Sequence, residues 1–152
     1  MNQADHSNGT IVMLKMQSHC AVRLHRWCQQ HDLDCIDPQD LHLTVLFSHE
    51  PLGEAQGLDQ TQTHVHARIE DWKLLGNNNL TLLVRCEPAV RLHHRLLELG
   101  GSHSWPNFLP HVTCVYGYNK RQLPDMIPNF DLIFDEIEVT NIDPHFAQDR
   151  SR

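Results

Sequence analysis

A chain of 152 residues that is 40% hydrophobic and 20% charged is sized and composed to fold as one domain around its own core. Its formal net charge of −7 counts against a long nucleic-acid partner, which needs clustered Lys and Arg to neutralise many phosphates. No apolar run reaches the roughly 20 residues that span a bilayer, the first ten residues hold no basic-then-apolar leader, and five cysteines without a C-x-x-C pair fit neither a disulfide framework nor a zinc ribbon. A cytoplasmic protein with reduced thiols is expected.

Residues 1–9 read as a frayed start, and TIVMLKM (10–16) as an apolar strand, β-branched at its beginning. Residues 18–31, SHCAVRLHRWCQQH, predict a helix with Ser18 as N-cap and Ala21, Leu24, Trp27 and Cys28 on one face. LHLTVLF (41–47) is a second strand, and the polar stretch 48–63, with its Pro and Gly, is a loop. Residues 64–76 and 80–86 flank Asn77, Asn78 and Asn79 and predict a hairpin. Pro88 opens a second helix that Gly100 and Gly101 stop, with Val90, Leu92, Leu96, Leu97 and Leu99 as its buried stripe. HVTCVYG (111–117) is a strand, 119–129 an irregular crossover holding Pro124 and Pro128, and DLIFDEIEVT (131–140) the last strand. This order predicts an α+β fold, one domain over 1–152. Its two β-α-β lobes are related by a pseudo-two-fold, with two antiparallel sheets facing a central cleft and the helices outside.

Both β-α-β pieces end in the same short pattern. DLHLTVLF (40–47) and NFLPHVTCVY (107–116) each place a histidine two positions before a threonine inside an apolar run. Residues i and i+2 of a strand share a face, so His42 and Thr44 point one way while Leu43 and Val45 point the other. His111 and Thr113 stand in the same relation to Val112 and Cys114. Side by side, the two strands supply two imidazoles and two hydroxyls. A neutral histidine can take the proton of an attacking oxygen while a protonated one gives a proton to the leaving oxygen, and an ordinary pKa of roughly 6.5 suits both tasks. Threonine hydroxyls can donate to the non-bridging oxygens as charge builds on them. This inventory suits cleavage of a phosphodiester and needs no metal or other cofactor. In an RNA-type linkage the neighbouring 2′-hydroxyl already stands in place for attack.

Two His-x-Thr strands at this spacing resemble the two-histidine phosphoesterase superfamily, which includes LigT-like 2′-5′ RNA ligases and cyclic phosphodiesterases. The stretch GGSHSWPNFLPHVTCVYGY (100–118) is more similar still to the anti-CBASS protein 1 family of phages. There the second motif is likewise preceded by a glycine, a histidine, an aromatic-Pro pair and a Pro directly before the histidine. The resemblance covers most of the chain and is dense around 40–48 and 100–118. It implies that His42, Thr44, His111 and Thr113 are catalytic. It also implies a substrate, a cyclic di- or trinucleotide signal of bacterial antiviral defence, cut at a 3′-5′ bond in the host cytoplasm. No obligate protein partner is implied.

Candidate substrate contacts lie around these motifs. Trp105 and His103 sit in the loop leading into the second motif, and Trp72 in a strand; aromatic–base stacking contributes roughly 1–3 kcal/mol per base. Tyr116, three residues past Thr113, falls on the opposite strand face and is expected in the core. Lys15, a lone cation in the first strand, can neutralise phosphate or reach out to water. Glu138 shares a strand face with Glu136 and can accept from a base amino group. Thirteen histidines raise the alternative of a metal binder. His64-x-His66 offers two ligands on one strand face without an evident third, and His93 and His94 point apart on a helix, so no metal site is expected. Two further alternatives are a LigT-like enzyme acting on RNA ends and a protein that sequesters a signalling nucleotide uncut.

Overall fold

Among the described residues the chain forms six strands and two helices: β1 (Thr10–Met16), α1 (Ser18–Gln30), β2 (His42–Ser48), β3 (Thr61–Leu75), β4 (Asn79–Arg85), α2 (Glu87–Glu98), β5 (His111–Val115) and β6 (Leu132–Asn141). They are seen in a computed structural model that describes residues 9–102 and 107–142. Short 3-10 turns cover Pro38–Asp40 and Gly53–Leu58.

Each helix forms because an apolar stripe recurs every three to four residues. In α1 the stripe is Cys20, Ala21, Leu24 and Cys28, with Trp27 half-buried at its edge. Ser18 is not its cap: Gln17 holds that position without a side-chain cap bond, and its own N–H donates to Ile133 O at 2.8 Å. A contact with the last strand thus fixes where α1 begins. In α2, Pro88 stands in the first turn, where its missing N–H costs nothing. Its buried stripe is Ala89, His93 and Leu96, with Leu92 and Leu97 at the edges and Leu99 exposed. The stripe expected from the sequence is therefore rotated, and a histidine lies at its centre.

The strands pair antiparallel throughout in the order β1-β2-β5-β4-β3-β6, closed into a ring. Around it run two three-stranded halves, β6-β1-β2 and β3-β4-β5, each with one helix, which is the pseudo-two-fold of the sequence pattern. The two sheets meet edge to edge at both seams. One seam is the single pair Leu43↔Val112. At the other, Thr61–Ala67 lies along Leu132–Ile137, because β3 starts earlier than the polar stretch 48–63 suggests. In the β3–β4 turn, Gly76 and Asn78 have φ of 57° and 59°, left-handed conformations that glycine and asparagine tolerate best.

Leu14, Leu24, Leu43, Leu82, Leu96 and Phe134 are fully buried in one contiguous core between helices and strands. The five cysteines are free and buried. The opposite side of the ring is left to the polar residues of β2 and β5. Among the described residues, no helix is long and apolar enough to cross a membrane.

Candidate active site

His42 and Thr44 occupy the first turn of the pleat in β2, and His111 and Thr113 the same places in β5. Across β1 their partners are Lys15 and Met13; across β4 they are Leu83 and Thr81. The pair Leu43↔Val112 joins the two motif strands, and one antiparallel step either way sets His42 against Thr113 and Thr44 against His111. Each histidine thus stands beside the other motif's threonine, and the histidines are diagonal neighbours, about 7–8 Å apart at the backbone. All four side chains line one cavity of about 510 Å³, within the range of small-molecule sites.

The two imidazoles are held alike. His42 Nδ1 donates to Asp40 O at 2.7 Å, and His111 Nδ1 donates to Leu109 O at 2.7 Å, two residues upstream in both cases. A carbonyl only accepts, so the proton sits on Nδ1 and Nε2 becomes the exchanging nitrogen of each ring. Burial pushes the His111 pKa below the ordinary histidine value; the Leu109 carbonyl opposes this and the nearby His42 adds to it. His111 is therefore biased towards its neutral, proton-accepting form.

Directly after each motif threonine the strand holds one residue too many. Met13 pairs with Thr44 but Val12 with Leu46, which leaves Val45 extra. Thr81 pairs with Thr113 but Leu80 with Val115, which leaves Cys114 extra. Such β-bulges bend the strand and re-aim the residues beyond. They explain why Tyr116, expected in the core, is 40% exposed and lines the cavity: the extra residue reverses the alternation. Phe47, three residues past Thr44, is brought to the cavity in the same way. One aromatic from each half thus borders the paired motifs.

Ile11, Met13, Phe47 and Phe108 make an apolar wall, while Asn79, Asn107 and Tyr116 bring polar groups. Thr81 also lines the cavity, with its hydroxyl donated to Lys73 O at 2.7 Å. Apart from the motifs, these residues are not evident in the sequence. Phe108 and Asn107 precede the second motif in a segment without periodicity, and the apolar run that marks β1 does not show which of its faces meets the cavity. Lys15 lies beside His42 and opposite Glu136, and Glu138 is half-buried opposite Met13; strand pairing sets them level with His42 and Met13, and neither is among the residues that line the cavity. Trp72 is placed elsewhere. It is buried near Trp27, with Nε1 donating to Met126 O at 2.7 Å. The bulge between Ile69 and Asp71 turns its ring to the core side. Trp105 and His103 lie outside the described residues. His64 and His66 are exposed on β3 with their Nε2 atoms 3.0 Å apart. Among the described residues no three His, Cys, Asp or Glu are grouped to hold a metal ion.

Solved structures share this architecture. Escherichia coli LigT complexed with 3′-AMP superposes with a TM-score of 0.61 at 15% identity, over 88% of this chain and 87% of that one. A phosphoesterase crystal structure gives 0.63 at 17%, over 95% and 93%. At such identities the likeness shows the fold alone. In sequence, the anti-CBASS protein Acb1 of Vibrio phage KVP40 is 30% identical over 112 residues, 72% of this chain and 74% of its own length. The family model described as anti-CBASS protein Acb1 matches residues 8–149. With nearly its whole length matched, the chain belongs to the anti-CBASS protein Acb1 family of phosphodiesterases, built on the two-histidine phosphoesterase fold.

Proposed function

We propose that the protein opens cyclic di- or trinucleotide signals by cutting a 3′-5′ phosphodiester, with His111 as general base and His42 as general acid, in the cytoplasm of a phage-infected bacterium. The observation that carries this reading is the shared cavity: two Nδ1-anchored imidazoles reach it from strands joined at Leu43↔Val112. Neutral His111 Nε2 takes the proton of the ribose 2′-hydroxyl as its oxygen bonds to phosphorus. The P–O5′ bond breaks, and His42 Nε2–H gives its proton to O5′. The product is a linear chain with a 5′-hydroxyl and a 2′,3′-cyclic phosphate. Water attacking that phosphate, with the two histidines in exchanged roles, returns both to their starting forms. Thr44 and Thr113 donate to the non-bridging oxygens, and Lys15 beside His42 balances the phosphate charge.

Both proton transfers have a named group, so the reaction needs no metal. Tyr116, exposed and lining the cavity, is where a base flanking the scissile phosphate can stack, Phe47 is buried in the apolar wall, and Glu138, paired with the cavity residue Met13, can accept from a base amino group. The net charge of −7 favours a small nucleotide over a long RNA.

The test offers cyclic dinucleotides, cyclic trinucleotides and RNA ends bearing 2′,3′-cyclic phosphate to the purified protein in excess chelator, with products identified by mass. Linearised cyclic substrates are expected. Cleavage of RNA ends alone would transfer the assignment to RNA processing, intact nucleotide recovered after denaturation would make the protein a sequestering one, and dependence on added metal would remove the two-histidine mechanism.

A further inference from the structure

His93 occupies the middle of the α2 stripe, where a leucine would ordinarily pack, and only 2% of its surface is exposed. Its Nδ1 donates to Val45 O at 2.7 Å, the carbonyl of the bulge residue that follows Thr44. Its ring lies flat on Phe108, with centroids 4.2 Å apart and 10° between planes. Phe108 lines the cavity and directly precedes Leu109, whose carbonyl holds His111 Nδ1. One buried side chain from the second half therefore touches the first motif's bulge and the approach to the second motif.

The other bulge is secured by different means. Ile36 N–H donates to Cys114 O at 2.9 Å, and His25 Nδ1, on α1, donates in turn to Ile36 O at 2.9 Å. In both halves a helix histidine is tied to the carbonyl of the bulge residue, through the N–H and C=O of Ile36 on the side of His25 and directly on the side of His93. A merely apolar core would leave the Val45 carbonyl without its donor and gain nothing from a histidine, since burying a polar ring is unfavourable unless it bonds.

We propose that His93 is a positioning residue for phosphodiester cleavage: by clamping the Val45 bulge and the Phe108–Leu109 approach together, it sets the aim of Thr44 and His111 across the cavity. The inference depends on the His42–His111 mechanism above and concerns its geometry, independent of which nucleotide is cut.

The experiment uses the full chain and whichever substrate the wild type cleaves, comparing His93→Phe, His93→Asn and Phe108→Leu. Phenylalanine keeps the bulk and the stacking without the donor, while asparagine returns a donor near the Nδ1 position. Misplacement of about 1 Å in a catalytic geometry can cost on the order of 100-fold in rate. His93→Phe is therefore expected to lower kcat by about 10-fold or more with KM within about twofold, and His93→Asn, which restores the donor to Val45 but not the ring against Phe108, to recover part of that loss. Imidazole ¹⁵N spectra, taken without substrate, should show His111 held as the Nδ1–H tautomer in the wild type and His93→Asn, and mixed in His93→Phe. A folded His93→Phe with wild-type kcat and an unchanged His111 tautomer overturns the proposal, as does a His93→Asn variant no better than His93→Phe. If His93→Phe fails to fold, Phe108→Leu decides: an unchanged kcat and His111 tautomer refute the clamp, while a lowered kcat with a mixed tautomer supports it. An inactive wild type would instead refute the catalytic reading, and the spectra would still judge the clamp.

Discussion

The imidazole of His111 is the most informative single group in the molecule, because its surroundings act on its charge. Burial, with His42 nearby, lowers its pKa, so it stays neutral at a pH where a free histidine is already half protonated. As general base, His111 then sets the acid limb of kcat/KM below pH 6.5; an acid limb above that value would contradict the assignment. The same depression bears on stability. Below about pH 6.5 the unfolded chain protonates this residue while the native state still resists, so the unfolded state binds more protons. The site's contribution is complete above that pH and is lost as pH falls through the lowered native pKa. His111→Gln is expected to flatten this part of the decline, read as the urea midpoint between pH 7.5 and 5. A decline as steep as wild type would show that the group carries no such linkage. At this scale the sequence was legible where chemistry fixes residue type. The spacing of His42 with Thr44 and of His111 with Thr113 puts each pair on one strand face, whereas nothing in the adjacent His93 and His94, which point apart on a helix, shows which of them the packing of α2 buries.

At the scale of the element, two bulges decide what reaches the cavity. Strict alternation after Thr113 sends Tyr116 into the core; the extra residue Cys114 returns it to the cavity side. A single sequence cannot reveal such a bulge, because no residue type is required of it: one bulge residue is valine and the other cysteine. Helix start and stripe depart from the sequence pattern for a related reason, since Gln17 is fixed by Ile133 from the far end of the chain and His93 of α2 by Val45 of β2. If Tyr116 stacks a base, Tyr116→Leu is expected to raise KM by about 5- to 150-fold, corresponding to roughly 1–3 kcal/mol, with kcat changed only a few-fold. An unaltered KM would remove Tyr116 from the substrate contacts.

For the whole molecule, the ring of six strands brings two distant motifs to one cavity. Its two halves, each a strand, a helix and a motif strand, were legible because apolar periodicity and the repeated His-x-Thr both survive in the sequence. The closure of the ring was not, since the seam of β3 with β6 begins in a polar stretch, Thr61–Thr63, with no strand signature of its own, and nothing local names β6 as the partner of Val65–Ala67. The core that backs the ring should carry stability and leave chemistry alone. Leu24→Ala, at a site with no exposed surface, is expected to cost about 2–5 kcal/mol in denaturant unfolding with kcat retained at a temperature where it remains folded; a lost kcat would tie α1 to the site. The central claim, that His42 and His111 act on a single phosphorus as one unit, is tested most directly by single-turnover rates of His42→Ala, His111→Ala and the double variant with chelator present. Each single substitution is expected to lower the rate by about 10²–10⁴-fold with substrate still bound, and the double variant to fall little below the slower single one. Losses that multiply, or a single variant that retains wild-type turnover, would contradict the account.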